Sequence, residues 1–313
     1  MGYTRSPLRY PGGKSRLAPF IRSLIHANGL EGGTYVEPFA GAAGIAWALL
    51  FDGTVSRVIL NDLDPALYAF WRAVFTRTDE LCEAIRSTPV SMRTWRAQRK
   101  ILGKPYTHSI ISVAYAAFFL NRTNRSGVLR GGVIGGKTQS GSWRLDARFN
   151  AEDLIRRIRR IADFRRQVRI LRMDAIAFIR HLGSSLPAES LVFIDPPYFG
   201  RGHDLYWNTY TAKHHDELSS VIKTRLQCPW TVSYDDVSPV RRLYRGCMSR
   251  SYHLSYSAAR RYVGREVLFF SDGLSIPRSR LPTPPRDLNP DSRGTLNADH
   301  DASRPTTRWS RPA

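Results

Sequence analysis

The sequence predicts an α/β fold: a Rossmann-like sheet interrupted by an inserted, mostly helical module. Three observations lead there. Short apolar runs alternate with helix-like stretches at the start of the chain and again after residue 168. Between Pro65 and Phe149 that alternation disappears. The run Leu191-Val192-Phe193-Ile194 has no polar break, as a strand covered on both faces requires.

Taken in order, a helix is expected over Ser15–Ile25, a strand at Tyr35-Val36, a helix over Ala42–Phe51 and a strand over Val58–Leu60. Together these make a β-α-β unit whose first loop is Pro38 to Gly44. Helical stretches follow at Ala66–Phe75, Thr78–Arg86, Met92–Ile101 and Ile110–Leu120, and then a Gly-rich basic segment. Winding resumes with strands at Val168–Leu171, Leu191–Ile194 and Trp230–Ser233, and ends with the pair Tyr252–Ser255 and Glu266–Phe270. Helices over Ala175–Leu182 and His215–Leu226 separate them. The expected division is a discontinuous domain of residues 1–65 and 150–275, an insertion at 66–149, and a disordered Pro/Arg-rich tail at 276–313. The tail holds seven prolines in 38 residues and too few apolar side chains to offset its ordering entropy.

An apolar fraction of 42% over 313 residues supports a sizeable core. Cys82, Cys228 and Cys247 are odd in number and lack C-x-x-C spacing, which argues for a reduced compartment without structural zinc. Apolar stretches such as Ile45–Phe51 and Val113–Leu120 are too short to span a bilayer, and no signal core opens the chain. A soluble cytoplasmic protein is expected. Its net charge of +21 is clustered: residues 66–150 carry +10 while 181–238 carry −3. Coding bias toward arginine would spread the charge evenly, so a polyanionic partner is the better reading.

The chemistry-bearing segments agree with that partner. Asp195-Pro196-Pro197-Tyr198 follows the Leu191–Ile194 strand and offers a carboxylate, carbonyls on rigid prolines and an aromatic ring to an amino group. The loop after the first strand has Gly41-x-x-Gly44 rather than G-x-G-x-x-G, so it lacks the glycine pair that admits a pyrophosphate. Glu37 puts a negative charge beside that loop, and Asp62, 21 residues past Gly41, stands where a carboxylate takes ribose hydroxyls. This pattern suits an adenosine-type cofactor without a diphosphate and points to S-adenosylmethionine.

Arg and Asn read base edges bidentately and glycines let a backbone approach phosphates. The segment Asn121-Arg122-Thr123-Asn124-Arg125, with Arg130, Lys137 and Arg144, therefore reads as a nucleic-acid contact. Arg156-Arg157 and Arg159-Arg160 at helical spacing suit a solvated or phosphate-facing surface. The aromatic run Leu205–Tyr210 is a candidate for stacking on a base. His214-His215-Asp216-Glu217 points around a helix axis and cannot converge on one ion, so no metal is expected.

In this order the pieces resemble the Dam-like (D12 class) DNA adenine-N6 methyltransferases, from about Tyr3 to Ser271. Tyr10-Pro-Gly-Gly-Lys14 looks like that family's opening motif, where Trp often stands in place of Tyr10. Glu37-Pro38-Phe39-Ala40-Gly41 and Ile59-Leu60-Asn61-Asp62 look like its cofactor motifs, and Asp174 is similar to a position near the cofactor's adenine. Asp195 to Tyr198 looks like its catalytic signature.

The resemblance implies a site-specific enzyme of a bacterial or phage-infected cell, acting as a monomer without metal. It would transfer methyl from S-adenosylmethionine to N6 of an adenine flipped out of double-stranded DNA. It implies catalytic roles for Asp195, Pro196, Pro197 and Tyr198. Cofactor contacts are implied for Tyr10, Lys14, Glu37, Phe39, Gly41, Asp62, Asp174 and Asp195. The insertion would be the target-recognition region. The rival expectations are an RNA base methyltransferase, an inactive nucleic-acid-binding relative and, disfavoured by the missing glycine pattern, a dinucleotide-dependent oxidoreductase.

Overall fold

Two strands without a polar interruption form the middle of the sheet. β1 (Thr34–Glu37) and β4 (Ser190–Ile194) are buried at every position and pair in parallel, Thr34 opposite Ser190. The computed structural model of the chain describes residues 6–9, 14–199, 210–257 and 261–283. It adds β2 (Arg57–Asn61), β3 (Val168–Leu171), β5 (Trp230–Asp235), β6 (Ser249–Ser257) and β7 (Arg261–Phe270). The strand order is β3-β2-β1-β4-β5-β7-β6, parallel from β3 through β5. β7 runs antiparallel between β5 and β6, with Asp235 opposite Glu266.

Helices cover both faces. On one side α1 (Ala18–Ala27), α2 (Gly44–Phe51) and α3 (Pro65–Thr76) join a core that includes Tyr35, Leu191, Phe193, Leu268 and Phe270. On the other, α8 (Ala175–Leu182), α9 (Ala212–Arg225) and α10 (Ser238–Leu243) pack on Val36, Val192, Ile194 and Val232. Each buried aliphatic side chain of this kind contributes about 1.5–3 kcal/mol relative to exposure.

The 66–149 segment holds most of α3, then α4 (Thr78–Ser87), α5 (Met92–Gly103) and α6 (Ile110–Thr123), followed by a Gly-rich loop up to α7 (Ala151–Ala162). Helix starts follow local chemistry: Asp64, Ser91, Ser109 and Asn150 each accept a backbone N–H from the first turn. α6 is buried almost all round, and its Phe118 stacks on Phe70 of α3 at 6.0 Å. Trp71 of α3 meets Trp47 of α2 at 5.1 Å, so packing is continuous from the sheet into the inserted helices. α7 buries Leu154, Ile155, Ile158 and Ile161 and leaves Arg156, Arg159 and Arg160 exposed.

Two expectations are corrected here. The ordered chain continues past 276: Arg250 donates to the Pro277 carbonyl at 2.6 Å, His253 N–H reaches Pro282 O at 3.4 Å, and Leu281 is buried. Edge strand β6 supplies the donors that hold this segment, a cause invisible in the tail's own composition; residues 284–313 lie outside the described part. At the other end, the first helical residues Lys14–Leu17 form a 3-10 turn before Pro19 sets the start of α1.

Candidate active site

The strand order reverses between β1 and β4, and open α/β sheets bind ligands in the crevice beyond the strand ends at such a point. Glu37 ends β1 and Asp195 follows the last residue of β4, so the two carboxylates flank that crevice. Pro196 and Pro197 are buried and carry no N–H, and the Phe199 amide donates to Asp235 Oδ1 at 3.1 Å, pinning the loop to the end of β5.

Lys14 reaches into this corner from the N-terminal turn and is buried there. Its Nζ lies 3.2 Å from Asp195 Oδ1 and 3.1 Å from Glu266 Oε2. It also donates to the Tyr198 hydroxyl at 3.2 Å and stands 5.2 Å from the centre of that ring. The Tyr198 hydroxyl in turn donates to Glu266 Oε1 at 3.0 Å. Tyr252 donates to Glu266 Oε2 at 2.5 Å, and Ser233 shares a hydrogen bond with Tyr252 at 2.9 Å.

One ammonium thus serves two carboxylates. Burial works against the Lys14 charge, but Asp195 and Glu266 hold its pKa well above the usual lysine value. Burial pushes the Asp195 carboxyl up to about 6; Lys14 opposes the rise and Glu266 adds to it. Asp195 still keeps 25% of its side-chain surface open to the cleft.

The cofactor side is built from β1, β2 and the loop between β1 and α2. Burial raises Glu37 to about 8; the Tyr35 hydroxyl lies close enough to favour its charge without reaching hydrogen-bond geometry, and Asp195 repels it. Such a group gains most from a cation. Asp62 accepts the Gly41 N–H at 2.9 Å and the Asp64 N–H at 3.0 Å, and burial together with Asp64 raises it to about 7. Asn61 bonds Pro38 O, Met173 O and Met173 N–H, tying the loops after β1 and β3 together. Trp71 Nε1 caps Gly41 O at 2.9 Å. Gly41 takes φ +48°, the left-handed region that glycine favours.

Phe39 meets Tyr210 edge-on at 5.7 Å, and Asp174 caps α8 by accepting from Ile176 and Ala177. Carboxylates for an amine, a sulfonium and ribose hydroxyls, with no glycine cradle for phosphate, fit S-adenosylmethionine. Glu37, Asp62 and the Gly41 loop would hold it. Tyr10 and residues 205–209 of the aromatic run lie outside the described residues.

The segment expected to contact nucleic acid divides sharply. Asn121 and Asn124 are fully buried and committed to hydrogen bonds within the protein, so their expected reading of bases is corrected. Asn121 accepts Arg9 N–H at 2.7 Å and donates to Arg9 O at 2.6 Å and Gly127 O at 2.9 Å, mimicking a strand partner. Asn124 accepts from Trp95 Nε1 at 2.7 Å and donates to Val128 O and Leu129 O. Gly127 is required: a Cβ there would sit 2.6 Å from Arg9 O, and its φ is +78°.

Arg122 is partly buried and donates to Arg148 O at 2.7 Å, and burial plus Arg9, Arg157 and Arg148 lower its pKa to about 9. Arg125, Arg130, Lys137 and Arg144 are exposed, and so is Trp143, at 66%.

The aligned His214 and His215 go separate ways. His214 closes a capping box with Thr211, while His215 is buried with its Nδ1 2.7 Å from the Tyr234 hydroxyl, and burial lowers it to about 4. Among the described residues no group of three His, Cys, Asp or Glu side chains could hold a metal ion, and no helix is long and apolar enough to cross a membrane.

Sheet and crevice together are those of an S-adenosylmethionine-dependent methyltransferase with a Rossmann-like α/β fold. Residues 10–261 match the model of the D12 class N6 adenine-specific DNA methyltransferases, and the chain belongs to that family. It is an adenine-specific DNA methyltransferase by that membership. A curated relative is a type II methyltransferase, M.CviBI, of Paramecium bursaria Chlorella virus NC1A: it is 24% identical over 226 residues, covering 71% of this chain and 81% of the relative.

Solved structures resemble it only distantly. The rRNA methyltransferase aviRa from Streptomyces viridochromogenes is 17% identical with a TM-score of 0.38, over 83% of this chain and 85% of that one. A putative RNA methyltransferase, PH1948 from Pyrococcus horikoshii, is 10% identical with a TM-score of 0.40, over 84% and 86%.

Glu266, Tyr252 and Ser233 were missed by sequence reasoning. The signal was there for Glu266: strand alternation puts it on the same face as buried Leu268 and Phe270, an acid among core residues.

Proposed function

We propose that the protein transfers the S-adenosylmethionine methyl group to N6 of an adenine turned out of duplex DNA at a specific site, with Asp195, Pro196 and Tyr198 holding the base. The observation that carries this reading is the placement of Asp195: at the end of a buried strand, beside rigid prolines, with its carboxylate held by a buried lysine.

The N6 lone pair of adenine is delocalised into the ring and is a poor nucleophile. A carboxylate and a backbone carbonyl that accept both N–H bonds favour a pyramidal nitrogen with a localised lone pair, so this site works by positioning and electrostatics. The cofactor, when bound, supplies an electrophilic methyl beside that position. Asp195, with a pKa of about 6, is ionised at neutral pH and able to take the proton that N6 must lose. Tyr198, its hydroxyl fixed by Glu266 and Lys14, offers a ring to stack on the base, which leaves the duplex at a cost of a few kcal/mol.

The 66–149 segment is the proposed recognition unit, with exposed Arg125, Arg130, Lys137 and Arg144 toward the DNA backbone or bases. Labelled-methyl transfer in a competition between duplex DNA and structured RNA tests the reading. Label in duplex adenine that declines steeply with salt is expected; preferential labelling of RNA would reject it.

A further inference from the structure

Glu266 stands buried in the same corner as Asp195, and the proposed chemistry uses it only to fix the Tyr198 hydroxyl. Four donors converge on its carboxylate: Lys14, Tyr198, Tyr252 and, at 3.5 Å, Ser233. It shares its strand face with Leu268 and Phe270, which are buried in the core. Replacing a buried ion pair by packed apolar groups is often neutral or stabilising, so a carboxylate here is poorly explained by stability. Its partners instead lead to Asp195 and Tyr198, two of the groups proposed to hold the target base.

Resting on the reading given above, we propose that Glu266 is a positioning residue for methyl transfer. By sharing the Lys14 ammonium it sets how much positive charge reaches Asp195, and by accepting from Tyr198 it fixes the tilt of the stacking ring.

The groups facing Asp195 among the described residues are few. They are Lys14 from the N-terminal turn, Glu37 and Tyr35 from β1, Glu266 from β7, and the hydroxyls of Ser233, Tyr252, Tyr234 and Tyr198. Within that set Glu266 pushes the Asp195 carboxyl up and Lys14 pulls it down. Neutralising Glu266 therefore removes one repulsive charge and leaves Lys14 to Asp195 alone. Removing the Tyr252 hydroxyl does the reverse: Glu266 loses a donor and draws Lys14 toward itself.

The test is single-turnover methyl transfer to unmethylated plasmid DNA from mildly acidic to alkaline pH, with S-adenosylmethionine affinity measured separately by calorimetry. Glu266→Gln is expected to slow transfer at least about tenfold through misplacement of the reacting groups. Its cofactor affinity should stay near wild type and its acid limb should move to lower pH. Tyr252→Phe is expected to move the acid limb to higher pH, and it decides the matter alone if Glu266→Gln fails to fold. Wild-type rates in Glu266→Gln, or a loss of rate with both acid limbs unmoved, would overturn the inference and leave the function standing. A wild type that methylates no adenine rejects both.

Discussion

Replacing Glu37 by glutamine should stabilise the fold and weaken the enzyme, and the size of the gain follows from the site. Glu37 is buried at the end of β1, and burial raises its pKa from 4.5 to about 8 in the folded chain. Between those values the folded protein keeps a proton that the unfolded chain has released. Stability therefore falls as pH rises through that window: the cost is absent below 4.5 and fully present above about 8.

At 1.36 kcal/mol per pH unit the full penalty is about 5 kcal/mol; relaxation around the charge reduces this, and about 3–5 kcal/mol is the expected range. Glutamine keeps the volume and the capacity to accept from its neighbours while removing the charge. Urea unfolding followed by circular dichroism should give nearly equal stabilities near pH 4.5 and a Glu37→Gln variant about 3–5 kcal/mol more stable in alkaline buffer. The variant should also gain less stability from added S-adenosylmethionine, because the cationic ligand is the partner proposed for this carboxylate. A stability difference that does not change with pH would refute the reasoning.

Three further outcomes follow from the same geometry. Asp62→Ala removes the acceptor that orders the Gly41 amide and that is proposed to take ribose hydroxyls, so the Kd for S-adenosylmethionine should rise about 10- to 100-fold in calorimetry, with little change in rate at saturating cofactor. Asn121→Ala leaves the Arg9 amide and two carbonyls unpaired in a buried site; denaturation should show a loss of about 2–4 kcal/mol, while the salt dependence of DNA binding by the folded fraction stays unchanged. Lys137→Ala and Arg144→Ala should each lower the slope of log K against log salt by about one, without loss of stability, if these exposed side chains meet phosphates.

How much of this was legible depended on whether a feature was local. The β4 run shows its burial by having no polar break, and Asp195 to Tyr198 show their place by following it. Caps such as Ser109 and Asn150 act within one turn and leave a readable mark. Asn121 was misread because its composition-based signal, an Asn among arginines and glycines, says nothing of a partner 112 residues away at Arg9. The unbroken apolar run from Val113 to Leu120 held the better clue, since it marks α6 as buried all round and Asn121 is its next residue.

The Lys14–Asp195–Glu266 corner was half legible for a similar reason. Lys14 and Asp195 lie in recognisable motifs, whereas Glu266 enters only because β7 inserts antiparallel beside β5, a choice of strand order that no local pattern encodes. The same strand order makes β6 an edge, and that edge holds residues 277–282 in place despite their loop-like composition.

The central claim is that the carboxylate of residue 195 grips the exocyclic nitrogen of adenine. Its most direct test is mass-spectrometric counting of N6-methyladenine in unmethylated duplex DNA after exposure to S-adenosylmethionine with the wild type or with Asp195→Ala, alongside cofactor affinity. Wild-type protein should produce N6-methyladenine at a recurring sequence, and the variant should produce none while binding the cofactor only modestly less well. Equal N6-methyladenine from both proteins, or methyl groups found on another base, would contradict the account.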